Sequence, residues 1–331
     1  MHILKKTNID FLRWRWHAMV LSWIVVLAGV GVIATRGLPR GVEFAGGTIV
    51  ITQFEQPPSV QQVRGALDRT FGGQNVVVQQ YGDAASRQIM VRVPQAGAET
   101  GSSLSERADA VRTALQQANL GAFQVVGTEI VSPTVSGELT RKGITATVLS
   151  LGGILLYIAF RYQFGFAVGA VVATLHDLMI ALAFLAFFQY DMTLNVIAAI
   201  LTVSGYSTND TIVIFDRVRE NLRGMRRDSL NHVINVSINQ TLGRTVITAG
   251  TTLLSAVALF LFGGEVLRGF AFTMIVGVIT GTYSSVFVAA AIVTIWRGKG
   301  PLKAAARAPT TAAVAQQPQR KAKPQRKARA S

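Results

Sequence analysis

Residues 205–221 read GYSTNDTIVIFDRVREN and close an apolar run that starts near Leu194. The run has the length of a membrane helix, yet an asparagine–aspartate pair, Asn209–Asp210, stands inside it. Ionised groups are expensive in hydrocarbon; those found there face a bundle interior or a water-filled path and mark function. Asp210 lies about four residues before the expected cytoplasmic end of the span, about 6 Å along the axis from a centre near Tyr206. Ser207, Thr208 and Asn209 precede it, and such a polar cluster must face protein or water, because hydrocarbon offers it no partners. Gly205 removes a side chain beside the cluster and is expected to permit close helix approach. The plainer alternative is that Asp210 caps the next segment or reaches to the membrane interface.

The composition agrees with a membrane chain. Of 331 residues, 50% are hydrophobic and 15% charged, against about 25% charge in an average soluble domain. Apolar stretches predict six membrane helices, near 18–33, 144–159, 166–188, 194–214, 245–261 and 270–295. A crossing takes about 20 residues, so the shorter stretches need flanking residues to complete it. Lys5, Lys6, Arg13 and Arg15 precede the first run, and its exit, ATRGLPRG, lacks a small-residue cleavage pattern, so it reads as an anchor. The joint 161–163 and the segment 217–227, with five arginines, belong in the cytoplasm, while 189–191, 263–269 and the long segment 36–137 belong outside. Both termini are then cytoplasmic. The organisation is a cytoplasmic N-terminal segment (1–17), a first helix (18–35), an external domain with its connections (36–142), a five-helix bundle with short loops (143–296) and a basic tail (297–331).

The external segment alternates between two periodicities. GGTIVITQF (46–54), VVVQQYG (76–82), RQIMVRV (87–93) and FQVVGTEIV (123–131) read as strands. SVQQVRGALDRTF (59–71) places Val63, Leu67 and Phe71 at helical spacing, and SERADAVRTALQQA (105–118) does so with Ala108, Val111 and Leu115. The order strand, helix, strand, strand, helix, strand is that of an α+β ferredoxin-like domain. Nothing in it has catalytic spacing. Cysteine is absent and the four histidines stand singly, so the sequence offers no disulfide, thiolate chemistry, metal site or cofactor site. From Arg297 onward there are ten Lys or Arg and no acidic residue, in a context of Ala, Gln and Pro that cannot bury enough apolar surface to order itself. Such a tail fixes topology, and its charge suits anionic lipid or ribosomal RNA.

Arg244, in NQTLGRTVITAG (239–250), opens the fifth span from the same side on which Asp210 sits. Sequential antiparallel helices bring the two to similar depth. Arginine stays charged, so its nearness favours an ionised Asp210 while burial favours the protonated form, and this opposition makes a group that switches with water access. Asp177, in ATLHDLMIALAF (173–184), lies nearer mid-span beside His176. It is either a second proton-relay carboxylate or a packed acid bonded to another helix. Neighbouring helical residues point about 100° apart, so His176 and Asp177 need not touch. Asp216, Arg217, Arg219 and Glu220 form a solvated or headgroup-facing edge, or a docking surface; Asp216–Glu220 and Arg219–Arg223 are not opposite-charge pairs.

With these residues in view, the chain resembles the SecF family, the smaller subunits of bacterial SecD–SecF protein-export pairs, within the proton-driven resistance–nodulation–division transporters. GVEFAGGT (41–48) is similar to the family's entrance to the first periplasmic domain, with Glu43 in place of its usual aspartate. VSPTVSGEL (131–139) is similar to the exit motif, with Ser132 and Ser136 where glycines are common. LHD (175–177), GYSTNDTIVIFDRVREN (205–221) and NQTLGRT (239–245) complete the likeness. The resemblance implies a multi-pass protein of the bacterial inner membrane that joins a SecD-like subunit and assists the SecYEG channel and the SecA motor in late preprotein export. Protons would be the coupling ion, with Asp210 as the proton-passing acid, Arg244 as its partner and Asp177 in the family's histidine–aspartate motif. It implies no enzyme and no cofactor. Two other readings remain: a noncatalytic translocon-assembly or membrane-insertion factor, and a proton-driven small-molecule exporter.

Overall fold

The structure, a computed structural model, describes residues 7–72, 76–82, 84–94 and 101–297. The chain opens with a long helix, α1 (Arg15–Arg36), preceded by a short 3-10 turn at Leu12–Trp14. After α2 (Val42–Ala45) come β1 (Gly47–Phe54), α3 (Val60–Phe71), β2 (Val77–Tyr81), β3 (Gln88–Pro94), α4 (Gly101–Gln117) and β4 (Phe123–Val131). The long helices α5 (Pro133–Arg161), α6 (Phe164–Phe187), α7 (Leu194–Gly224), α8 (Leu230–Phe262) and α9 (Gly264–Ser284) follow; a π-helical turn at Ser285–Ala289 leads into α10 (Ala290–Arg297).

Every predicted strand and helix of the small domain is present. Its sheet runs in the order β2-β3-β1-β4, with β1 antiparallel to both β3 and β4 and β2 antiparallel to β3. Alternation places Val50 and Phe54 of β1 with Val63, Leu67, Val91, Val111 and Leu115 in one core under α3 and α4. The opposite face carries Ile49 and Met90 against Val42 of α2. A reciprocal cap starts α3: Ser59 Oγ accepts from the Gln62 N–H while the Gln62 side chain accepts from the Ser59 N–H. The connection into β1 turns on Gly46 (φ 70°) and Gly47 (φ 124°), backbone conformations that a side chain would strain.

Among the described residues, five helical stretches are long and apolar enough to cross a membrane: Leu12–Arg36, Thr134–Arg161, Phe164–Phe187, Leu230–Phe262 and Val266–Trp296. The remaining predicted span, the fourth, is α7, a helix of 31 residues, but its polar cluster and charged end dilute its apolar character. Several helices outrun the apolar stretches that announced them. α7 continues to Gly224 and α8 begins at Leu230, because hydropathy marks only the part of a helix that suits hydrocarbon. Likewise α5 starts at Pro133, capped by Ser132 Oγ on the Val135 N–H, so the sequence-based border between 142 and 143 falls inside a helix.

The two ends of the bundle differ. At one end Asn239 Oδ1 accepts from the Ile9 N–H (2.9 Å), Asn239 Nδ2 donates to Ile9 O (2.8 Å) and Asn235 Oδ1 accepts from the Phe11 N–H (2.9 Å), which straps residues 7–11 onto the start of α8. At the other end the turn between α6 and α7 meets the segment leading to the sheet: the Gly41 N–H donates to Met192 O and the Met192 N–H to Pro39 O, both at 2.8 Å. The small domain therefore caps the end opposite the N-terminal strap.

Candidate functional site

Polar side chains on α7 recur at Ser204, Ser207, Thr208 and Thr211, the three- and four-residue spacing that lines one helix face, and all four are buried. They can be buried because α9 comes close. A Cβ at Gly277 would overlap the side chain of Val203, and one at Gly281 would lie 2.9 Å from Ser207 Cβ. On α6, Gly169 admits the π-helical turn in the same way, since a Cβ there would lie 2.9 Å from Ala289 O. Close approach was expected at Gly205, but that residue is exposed and a Cβ there would meet nothing within 4 Å. The glycines that admit the neighbouring helix belong to the neighbour.

Asp177 of α6 is 1% exposed and sits at the centre of this contact. Its Oδ2 accepts hydrogen bonds from Ser207 Oγ (2.5 Å) and Ser284 Oγ (2.7 Å), so one carboxylate oxygen joins α6, α7 and α9. Its Oδ1 lies 3.0 Å from His176 Nδ1. The two neighbours thus do touch, although helical geometry does not require it. Around them Thr174 Oγ1 and Thr208 Oγ1 are 3.3 Å apart, and Thr211 Oγ1 and Ser285 Oγ 2.8 Å apart. Ser285 begins the π-helical turn, an irregularity that recurs at functional places in helices.

Asp210 is also buried, at 7% exposure, but is held differently. Thr245 Oγ1 donates to its Oδ1 at 2.8 Å, while Oδ2 is buried with no hydrogen-bond partner among the described residues. Arg244 has an exposed side chain and, among the described residues, forms no ion pair with Asp210, though its charge is near enough to act on the carboxylate. The structure thus brings Asp177 together with Ser207 and Ser284, brings Asp210 to Thr245, and leaves Arg244 at the rim. Sequence reasoning passed over Thr245, Ser284 and Ser285. Thr245 is the residue after Arg244 in the same motif, and the Ser284–Ser285 pair interrupts an apolar run as Ser207–Thr208 does, so both signals were in the chain.

At the strap end, Arg217 pairs with Glu220 (2.7 Å) and Arg219 with Asp216 (3.7 Å), opposite charges three apart rather than the like-charged fours. Tyr162 donates to Asp216 Oδ1 (3.2 Å), and burial, reinforced by that carboxylate, pushes its phenol up to about 12. No group of three or more His, Cys, Asp or Glu side chains suited to a metal occurs among the described residues.

These positions can be set beside known proteins. The family model of the C-terminal part of the protein export membrane proteins SecD/SecF matches residues 110–299, more than half of the chain. The chain belongs to this family. The SecD/SecF GG motif matches residues 31–58, which contain the positive-φ glycines Gly37, Gly46 and Gly47. On the SecF side, the protein translocase subunit SecF of Desulfurispirillum indicum is 42% identical over 87% of this chain and 92% of its own length. That of Pseudomonas aeruginosa is 43% identical over 88% and 92%. The crystal structure of SecDF, a translocon-associated membrane protein from Thermus thermophilus, superposes with a TM-score of 0.78 at 33% identity and covers 88% of this chain. This chain spans only 39% of that SecDF chain. The protein is accordingly a SecF-type multi-pass subunit of the bacterial inner membrane, with a small β-sheet domain, and a transport component rather than an enzyme.

Proposed function

We propose that this SecF-type subunit, paired with a SecD-like partner, couples inward proton flow to late-stage export of preproteins through the SecYEG channel after SecA has driven them across. The observation that carries the reading is the state of Asp210: a buried carboxylate with one oxygen held by Thr245 and the other without a partner among the described residues. An acid so placed binds and releases a proton with little rearrangement, whereas one saturated by donors does not. Arg244, at the rim, is the fixed charge whose attraction for Asp210 changes as the proton comes and goes. Each proton falling through 100 mV supplies about 2.3 kcal/mol. Gly205, Asn209 and Arg244 are exposed around Asp210, which suits a face that a SecD-like half covers.

In the same reading α7 is also a membrane span, the fourth of six, both termini are cytoplasmic, and the antiparallel β2-β3-β1-β4 sheet with its two helices is a ferredoxin-like domain on the periplasmic side. The contact of the basic tail with anionic lipid or ribosome falls on residues 298–331, outside the described residues. A second reading has support in the closed Asp177 cluster: a subunit that only stabilises the translocon would need such packing and no proton. Preprotein export from energised membrane vesicles containing the SecD-like partner separates them. Asp210→Asn is expected to assemble normally and to lose the part of export that responds to the proton gradient. Full retention of that response would remove Asp210 from the coupling path, and loss of complex abundance instead would favour the assembly role.

A further inference from the structure

Two kinds of connection join the small domain to the helix bundle. From β4, only Ser132 intervenes before α5, a helix that carries none of the Asp177 or Asp210 contacts and is largely unburied in this chain. On the other side, α1 reaches β1 through residues 37–46, with Gly37 (φ 76°) and Gly46 (φ 70°) at its two ends and Gly47 (φ 124°) opening β1, so the covalent link is compliant at its ends. Beside this compliant segment, Arg92 of β3 extends from the sheet to the α6–α7 turn. Its Nη1 donates to Arg40 O (2.8 Å) and to Asp191 Oδ2 (3.0 Å), and its Nη2 lies 3.4 Å from Asp191 Oδ1.

The pair is shielded: the Arg92 and Asp191 side chains are 13% and 24% exposed, so solvent and salt screen it less than a surface pair. Burial pushes the Asp191 carboxyl up and the Arg92 charge pulls it back. A cavity of about 300 Å³, lined by Glu43, Gln79, Met90 and Glu129 as well as by Arg92 and Asp191, lies between sheet and turn. The sheet therefore does not rest flush on the turn, and the link across that gap is concentrated in a few polar contacts. The turn itself is firmly set in the bundle. Thr193 Oγ1 caps α7 by accepting from the Val196 N–H, and the Tyr190 ring stacks on Phe272 of α9 at 4.5 Å between centroids. Nor can the approach be loosened at Gly41, where a Cβ would lie 3.0 Å from both Met192 O and Thr193 Cγ2.

We propose that Arg92 and Asp191 form a transmission clamp, positioning residues that carry displacement of α6 and α7 to the small domain, with the β4–α5 joint as the pivot. The inference rests on the proton-coupling reading for the origin of the displacement, while the clamp itself is read from the geometry at the sheet. An ion pair on the α6–α7 turn moves with the two helices that hold Asp177 and Asp210. A compliant glycine link alone would absorb that movement.

The test is gradient-dependent preprotein export in vesicles containing the full chain and its SecD-like partner. It compares Arg92→Ala, Asp191→Ala and the exchanged pair R92E/D191R, with complex abundance and thermal melting measured for each. The clamp predicts at least a 5-fold loss of the gradient-dependent increment in each single variant and recovery of at least half of it in the exchanged pair. Recovery by exchange is the decisive readout, since a purely structural arginine is not restored by moving its charge to the turn. An undiminished increment in R92A overturns the proposal, and so does an exchanged pair no better than the single variants. Asp210→Asn, run alongside, separates the two ideas. If it keeps its increment while R92A loses it, proton passage at Asp210 fails and the clamp stands; if it loses the increment and R92A does not, the clamp fails alone.

Discussion

Asp177→Ala is expected to cost the assembled complex stability, and Asp177→Asn to leave gradient-dependent export in place. The magnitude follows from the two interhelical hydrogen bonds on Oδ2, from Ser207 at 2.5 Å and Ser284 at 2.7 Å, on a side chain 1% exposed. Hydrogen bonds to charged groups contribute about 1.5–3 kcal/mol each in soluble proteins. Between membrane helices the average is about 0.6 kcal/mol and the maximum about 1.7, because the unfolded helices find other partners in the membrane. A carboxylate shared by three helices belongs where these ranges overlap, so losing both bonds costs about 3 kcal/mol. Asparagine keeps an oxygen that accepts from both hydroxyls and gives up only the charge, a loss of about 1 kcal/mol. At about 2–4 °C per kcal/mol for a protein of this size, D177A should melt about 6–12 °C lower and D177N about 2–4 °C lower. Far-UV circular dichroism melting of the detergent-purified complex measures the first quantity, and vesicle export the second. The reasoning is refuted if D177A melts within about 1 °C of the parent. It is refuted equally if D177N assembles and melts as expected but loses the gradient-dependent increment, for then Asp177 relays protons.

Two further expectations concern packing and pH. Gly277→Ala places a Cβ 2.9 Å from Val203 Cβ and against its γ carbons, at a residue 1% exposed, and should cost about 1–3 kcal/mol; adding Val203→Ala should recover part of the lost melting temperature, and strictly additive losses would show that the two do not meet. Tyr162 has its phenol raised from 10.0 to about 12 by burial and by Asp216, so its contribution to stability is full below pH 10 and lost as the pH rises towards 12, where the unfolded chain gives up the proton first. Tyr162→Phe should flatten the decline of melting temperature over that alkaline window, and an unchanged slope would count against the Tyr162–Asp216 contact.

Much of this architecture is legible in the chain because its signals are local. Val63, Leu67 and Phe71, or the alternation in GTIVITQF, report a helix and a strand without knowledge of what they touch. Asp177 and Asp210 stand out because a carboxylate in an apolar run is costly wherever the run packs. What could not be read depends on pairs. Arg92 and Asp191 are 99 residues apart, one in an ordinary alternating strand and the other in a short turn, and neither looks unusual until the fold joins them. Thr245 rather than Arg244 reaches Asp210 because consecutive residues on α8 point in different directions, and depth and sign of charge say nothing about that rotation. Gly205 drew attention by standing beside the polar cluster, yet Gly277 and Gly281 are the ones that face Val203 and Ser207.

The two buried carboxylates, superficially equivalent in sequence, are separated by a count of donors. A carboxylate offers two oxygens, and the environment decides whether it holds or exchanges a proton by how many donors reach them. At Asp177, Oδ2 accepts from two hydroxyls and Oδ1 faces His176, so moving this side chain disturbs contacts on three helices at once. At Asp210, Oδ2 has no hydrogen-bond partner among the described residues, and Thr245 holds Oδ1. In the proposed coupling the first arrangement would serve as a fulcrum and the second as a switch. Their order along α7 is consistent with that division. Ser207 ties the helix to the fulcrum one turn before Asp210, and Thr193 and the Asp191 clamp lie at the far end of the same helix. In the proposed coupling, a charge change at Asp210 would act on a helix pinned near its middle, with the displacement emerging at the end that meets the sheet.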